Sequence, residues 1–133
     1  SSLIINETEL NGLLKTLDTN NIDENDSREI NESLFIAYKY GHLKIIELLF
    51  QEYNANINYT DNNQNSLLHL SIKDQNLNLA RYLIEKTNID LNKENLDKET
   101  PFILTIIYKN SDLSELLIEN NVNLNPKSDS MFE

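Results

Sequence analysis

At 133 residues, with 39% hydrophobic and 25% charged residues, the chain has the composition of one soluble globular domain. Its formal net charge of −11 repels phosphate backbones and anionic headgroups, which argues against nucleic-acid and membrane-surface binding and leaves either plain solubility or a basic partner steered in by a negative surface. The absence of cysteine removes disulfides, thiolate metal sites and cysteine nucleophiles; with no bilayer-length apolar run and no basic flank at Ser1-Ser2-Leu3-Ile4-Ile5, an intracellular, cytoplasmic protein is expected, with the nucleus also open to it.

In chain order, the run after Glu32-Ser33 places Leu34, Ala37 and Tyr38 on one face of a helix that Gly41 can end by taking φ > 0. A second helix follows at once through Leu43, Ile45, Ile46, Leu48, Leu49 and Phe50, too apolar for a surface helix and closed by Asn54 to Asn58. The polar run Asn54 to Asn63 then alternates aliphatic residues with Asn or Asp, as a turn-rich projecting finger would. The next pair of helices carries Leu68, Leu70 and Ile72, then Leu77, Leu79, Ala80, Leu83 and Ile84, and a second finger runs from Asn88 to Asp97. A third pair offers Phe102, Thr105 and Ile106, then Leu113, Leu116, Leu117 and Ile118. Six helices in three pairs follow from this reading.

The pairs recur at one interval. The helix-starting phrases Glu32-Ser33-Leu34-Phe35, Ser66-Leu67-Leu68-His69 and Thr100-Pro101-Phe102-Ile103 begin at 32, 66 and 100, so 66 − 32 = 100 − 66 = 34. A fixed period of this length marks a stacked array in which each pair buries its apolar face against its neighbours. Asparagine makes up roughly one residue in six, and that bias produces chance motifs, among them the sequon triplets at Asn6, Asn25, Asn31 and Asn58.

The period resembles the ankyrin repeat, of about 33 residues with a TPLH-like opening. Thr100-Pro101-Phe102 stands at TPL, Ser66-Leu67-Leu68-His69 keeps the His, Tyr40-Gly41-His42-Leu43 matches the helix-joining GHL, and Ile57-Asn58, Leu91-Asn92 and Leu124-Asn125 match the VN ending. The resemblance implies an all-α ankyrin-repeat solenoid of stacked antiparallel helix pairs with projecting β-hairpin-like loops. It divides a single domain, 1–133, into a partial N-terminal capping repeat (1–26), repeats at 27–60, 61–94 and 95–125, and the start of a truncated repeat at 126–133. Thr8 to Leu17 fits the second helix of the leading partial repeat.

The chain departs from the family pattern at two turns. The finger-tip glycine falls at Ile30, Gln64 and Lys98, so the tips are expected to be rebuilt, with a turn shifted onto Asn63 or Asn65 in the second repeat. Gln75-Asn76 and Lys109-Asn110 replace the helix-joining glycine, and Asn is expected to serve as the left-handed cap.

No catalytic set stands out, and no cofactor or metal is expected. Two glycines cannot build a phosphate-cradling loop, and Asp61 to Asn65 lacks the ligand pattern of a calcium loop. Carboxylates such as Asp90 and Glu94 sit on solvated fingers, without the burial that a catalytic acid or base needs. His42 and His69 occupy positions that such repeats use for their own hydrogen bonds, so a structural role is expected for both. The resemblance implies a non-catalytic protein-interaction module, a monomer binding a protein partner through its concave face and loop tips, on its own or within a larger scaffold, regulator or effector. Carried over by position, the contact residues are Arg28, Lys39 and Tyr40; Asn62, Asn63, Asn65 and Lys73; and Leu96, Asp97, Glu99, Ile107 and Tyr108. Interface energy concentrates in aromatic, Arg and apolar anchors, which favours Tyr40, Tyr108, Ile107, Leu96 and Arg28. A structural array packing against other domains of a longer protein is the second reading, and an enzyme with an unrecognised site the third.

Overall fold

The structure, a computed structural model, describes residues 23–120. The chain divides into two compact units, Ser1–Ile57 and Asn58–Glu133. The described part of the first holds helices α1 (Glu24–Lys39) and α2 (Leu43–Gln51); that of the second holds α3 (Leu67–Lys73), α4 (Leu77–Lys86), α5 (Pro101–Ile107) and α6 (Ser111–Glu119). No strand occurs among the described residues, so the architecture is the expected all-α repeat. The expected capping helix at Thr8–Leu17 and the segment 126–133 lie outside the described residues.

In the first unit, α1 starts ten residues ahead of the predicted Leu34. Asp23 caps it through a reciprocal box in which the Asp26 N–H donates to Asp23 Oδ1 (2.9 Å) and the Asp23 N–H to Asp26 Oδ2 (3.4 Å). Glu24 and Asp26 in the first turn also suit the positive end of the helix dipole. Ile30, Leu34 and Ala37 then form one buried i, i+4, i+7 stripe against α2, which buries Ile45, Ile46 and Leu49. The predicted finger at Ile30 therefore does not exist: Ile30 is a core helix residue at 2% exposure. Repeat equivalence survives in a detail. The Asn56 N–H donates to Asn31 Oδ1 (2.7 Å) and, 34 residues on, the Asp90 N–H to Asn58 Oδ1 (2.7 Å), so a helical Asn supplies in the first unit what the finger supplies in the second.

In the second unit α3 packs on α4, α5 on α6, and the two pairs on each other through α3 with α5 and α4 with α6. Seven-residue helices such as α3 and α5 do not persist alone in water, so this packing holds them. Ser66 and Thr100 cap their N-termini, Pro101 occupies the first turn of α5, and Leu67, Leu68, Ile72, Leu79, Leu83, Leu104, Leu113 and Leu117 fill the interior. The third-pair face differs from the predicted one. Leu104 and Thr105 are fully buried whereas Ile106 is 59% exposed, because the buried side of α5 is the one that meets α3 and α6.

The three first helices end alike. Gly41 (φ +76°) donates to Tyr38 O (3.1 Å) and His42 to Ala37 O (2.8 Å); Gln75 (φ +57°) donates to Ile72 O (3.1 Å) and Asn76 to Ser71 O (2.8 Å); Lys109 (φ +56°) donates to Ile106 O (3.1 Å) and Asn110 to Thr105 O (2.8 Å). Each is a Schellman closure. The left-handed residue is thus Gln75 or Lys109 itself, not the Asn after it. Asn76 and Asn110 are occupied as N-caps of α4 and α6, their Oδ1 atoms accepting from Leu79 N (3.3 Å) and Leu113 N (3.1 Å). A side chain with a Cβ is disfavoured there by about 1–2 kcal/mol. Gln75→Gly and Lys109→Gly are therefore expected to raise the urea midpoint, each by the equivalent of about 0.5–1 kcal/mol after the added freedom of the unfolded chain. Gly41→Gln should lower it by about 1 kcal/mol.

Candidate functional site

Two fingers in the second unit, residues 58–66 and 91–100, carry half of the expected contact residues. Their tips have one geometry. Asp61 Oδ1 accepts the N–H groups of Asn63 and Asn65 (both 2.9 Å), the Asp61 N–H donates to Asn65 O (3.0 Å) and the Gln64 N–H to Asp61 O (2.9 Å). Thirty-four residues on, Asn95 Oδ1 accepts from Asp97 and Glu99 (both 2.9 Å), the Asn95 N–H donates to Glu99 O (3.1 Å) and the Lys98 N–H to Asn95 O (3.0 Å). Gln64 (φ +60°) and Lys98 (φ +64°) hold the left-handed position, so the turn is not shifted onto Asn63 or Asn65 as the missing glycines suggested. One carboxylate or amide oxygen accepting two backbone N–H groups holds the turn, which is how the tip closes without glycine.

The change from Asp61 to Asn95 has a reason. Asn95, 4% exposed, also donates through Nδ2 to Asn65 Oδ1 (2.8 Å) and to Glu99 Oε1 (2.9 Å), which a carboxylate could not do. Further bonds tie one finger to the next: the Leu96 N–H to Asn63 O (3.0 Å) and Lys93 Nζ to Gln64 Oε1 (3.2 Å). His69 joins α3 to the second finger. Its Nδ1 accepts from the Ser66 N–H (3.1 Å), which places the proton on Nε2, and Nε2 donates to Glu99 O (2.9 Å). Lys73 Nζ lies 3.8 Å from Glu99 Oε1, a half-exposed pair of small energetic weight. Among the described residues no buried side-chain polar atom lacks a partner.

Burial pushes the His69 imidazole below its ordinary pKa of about 6.5; the Lys73 ammonium adds to this, while the Glu99 and Lys93 carbonyls and the Glu99 charge oppose it.

The expected contact residues fall into different places. In the first unit, Arg28 lies on α1 rather than on a finger, its Nη2 donating to Asn25 Oδ1 (3.1 Å). Lys39 ends α1 with its ammonium 5.6 Å from the ring centroid of Tyr40, the half-buried C-cap. In the second unit, Asn62 and Asn63 are exposed at one tip, and Leu96 (58% exposed) and Asp97 at the other. Ile107 (52%) and Tyr108 (41%) stand at the exposed end of α5, with half-buried Lys73 at the corresponding end of α3. Asn65 is turned inward at 5% exposure and supports the finger instead of presenting itself to solvent. Glu99 is likewise engaged by Asn95 and Lys73. A polar recess lies beside the tips, lined by Gln64 from one finger and by Asp90, Lys93, Glu94 and Lys98 from the stretch 90–98. Lys, Asp and Glu interspersed along one polar stretch carry no sequence signal for it.

These helix pairs, fingers and Schellman joints at a 34-residue period are those of an ankyrin array, and the chain belongs to the ankyrin-repeat family: its model, ankyrin repeats (3 copies), matches residues 5–95. No curated protein matches the chain. Ankyrin repeats are generally protein–protein interaction modules and generally non-enzymatic. Among the described residues no helix is long and apolar enough to cross a membrane, and no cluster of His, Asp or Glu could hold a metal ion.

Two measurements test this account of the fingers. Asn95→Asp sets a carboxylate against Asn65 Oδ1 and the Glu99 carboxylate, and should lower stability by about 2 kcal/mol or more in urea unfolding at pH 7. His69 resists protonation when folded and not when unfolded, so its contribution is complete above about pH 6.5 and is lost as pH falls from there towards its depressed folded value. Urea midpoints should accordingly drop between pH 7.5 and 5.5, and the drop should shrink in His69→Gln.

Proposed function

We propose that this chain is a non-catalytic binding module that holds a protein partner through the finger tips and the exposed ends of α3 and α5. Leu96, Ile107 and Tyr108 anchor the partner, and Asn62, Asn63, Asp97 and Lys73 form the polar surround. The exposure of these three large side chains carries the reading. Each lies where a family repeat meets its partner, and buried anchors of this kind supply most of the binding energy in protein interfaces. Arg28, Lys39 and Tyr40 offer further contacts from the first unit.

The partner is basic. A net charge of −11, with Asp74 and Asp97 exposed on this side, raises the encounter rate of a positive surface and repels nucleic acid and anionic lipid. The module acts as a monomer inside the cell.

Leu96→Ser combined with Tyr108→Ala should leave the unfolding midpoint within about 0.5 kcal/mol of the parent, since both residues are substantially exposed. The same variant should lose most capture of the parent's partner from lysate. For the purified partner, the association rate should fall steeply between low and high salt. Unchanged capture by the double variant would remove this surface from the interface, and a flat salt dependence would remove the electrostatic steering.

A further inference from the structure

The two finger tips match in the bonds that close them and differ along one edge. In the second finger that edge carries two donors that reach the first: the Leu96 N–H donates to Asn63 O (3.0 Å) and Asn95 Nδ2 to Asn65 Oδ1 (2.8 Å). One period earlier the same two positions are Asn62 and Asp61. No finger stands ahead of them in the described chain, because residues 27–32, one period before 61–66, lie within α1. Among the described residues neither the Asn62 N–H nor Asp61 Oδ2 has a hydrogen-bond partner, and Asn62 is exposed.

The equivalence of the fingers fixes what these groups offer. Asp61 Oδ1 and Asn95 Oδ1 accept the same two backbone N–H groups, so the planar head group is held alike in both and Asp61 Oδ2 takes the place of Asn95 Nδ2. A donor in the second finger is thus a charged acceptor in the first. The open edge asks for an acceptor opposite the Asn62 N–H and a cation opposite Asp61. Where the two fingers meet, the facing groups are the main-chain carbonyl of Asn63 and the side chain of Asn65, two residues later. An occupant built on that pattern brings a carbonyl and, two residues on, Arg or Lys.

We infer that Asp61 Oδ2 with the Asn62 N–H is a specificity-determining edge of the finger-tip interface, and that it takes a partner segment offering a main-chain carbonyl with Arg or Lys two residues after it. The inference rests on the assignment of the finger tips to a basic protein partner, and it names the feature of that partner the tip selects. The main-chain bond supplies affinity with little regard for sequence, and the charge-assisted bond to the carboxylate supplies the selectivity.

The test titrates the isotopically labelled full chain with acetyl-Gly-Ser-Arg-amide, whose Gly carbonyl and Arg side chain stand two residues apart, and follows the amide signals of Asn62 and Asn63 by NMR. Saturable shifts are expected, with a Kd on the order of millimolar, and acetyl-Gly-Ser-Glu-amide should leave both signals in place. Asp61→Asn keeps the oxygen that closes the turn, as Asn95 does in the second finger, but exchanges the open acceptor for a donor. The Arg peptide should then bind at least about tenfold more weakly, and the Glu peptide should become the better ligand. Asn62→Pro removes the N–H at the first central position of the turn, where φ is not positive and proline is favoured, and should also weaken the Arg peptide. Both variants should keep the circular dichroism of the parent. Leu96→Ser with Tyr108→Ala should leave peptide binding unchanged, so that failure of the anchors and failure of this edge are told apart. No saturable shift at Asn62, equal shifts from both peptides, or Arg-peptide affinity that survives Asp61→Asn overturns the inference.

Discussion

The hydrogen bond from His69 Nε2 to the Glu99 carbonyl sets the register on which the second unit depends. It fixes the end of the second finger against the first turn of α3, and the same carbonyl closes that finger by accepting from the Asn95 N–H. Asn95 in turn reaches Asn65 in the preceding finger. A slip of one residue would part these groups in a buried setting, where an unpaired polar atom costs about 1–3 kcal/mol. The apolar interior supplies the driving force, which is tolerant of small shifts; the polar chain from His69 to Asn65 is not tolerant, and so selects one alignment.

Much of this was legible in the sequence because it recurs. The capping residues Ser66 and Thr100, the joint at Gly41 and the apolar runs of the second helices are local signals, and the interval of 34 aligns them. What failed to read was context. Glu32-Ser33 has the look of a helix start, yet Asp23 with Asp26 caps the helix earlier and Ile30 continues its apolar stripe, so a stronger local signal upstream overrode the repeat. Glycine marks left-handed turns in a sequence, whereas Gln64, Gln75, Lys98 and Lys109 adopt them because surrounding hydrogen bonds compensate the strain.

The contact residues divide in the same way. Leu96 and Tyr108 were readable as exposed because no apolar period includes them. Asn65 was not, since an Asn at a finger tip looks identical in sequence whether it faces solvent or, as here, the neighbouring amide. The exposure of Ile106 and Ile118 was hidden altogether, because both obey the helical period that buries Ile72 and Ile84. Periodicity tells which side of a helix faces the stack; it is silent on whether the stack continues beyond that side.

The two finger tips share one backbone path held by one side-chain oxygen and one left-handed residue. The side chains of residues 62 and 63, and of 96 and 97, take no part in closing it. Those short stretches are therefore interchangeable inserts in a fixed frame, and new recognition can be written into them by substitution, or by moving a tip from one finger to the other, without refolding what lies beneath.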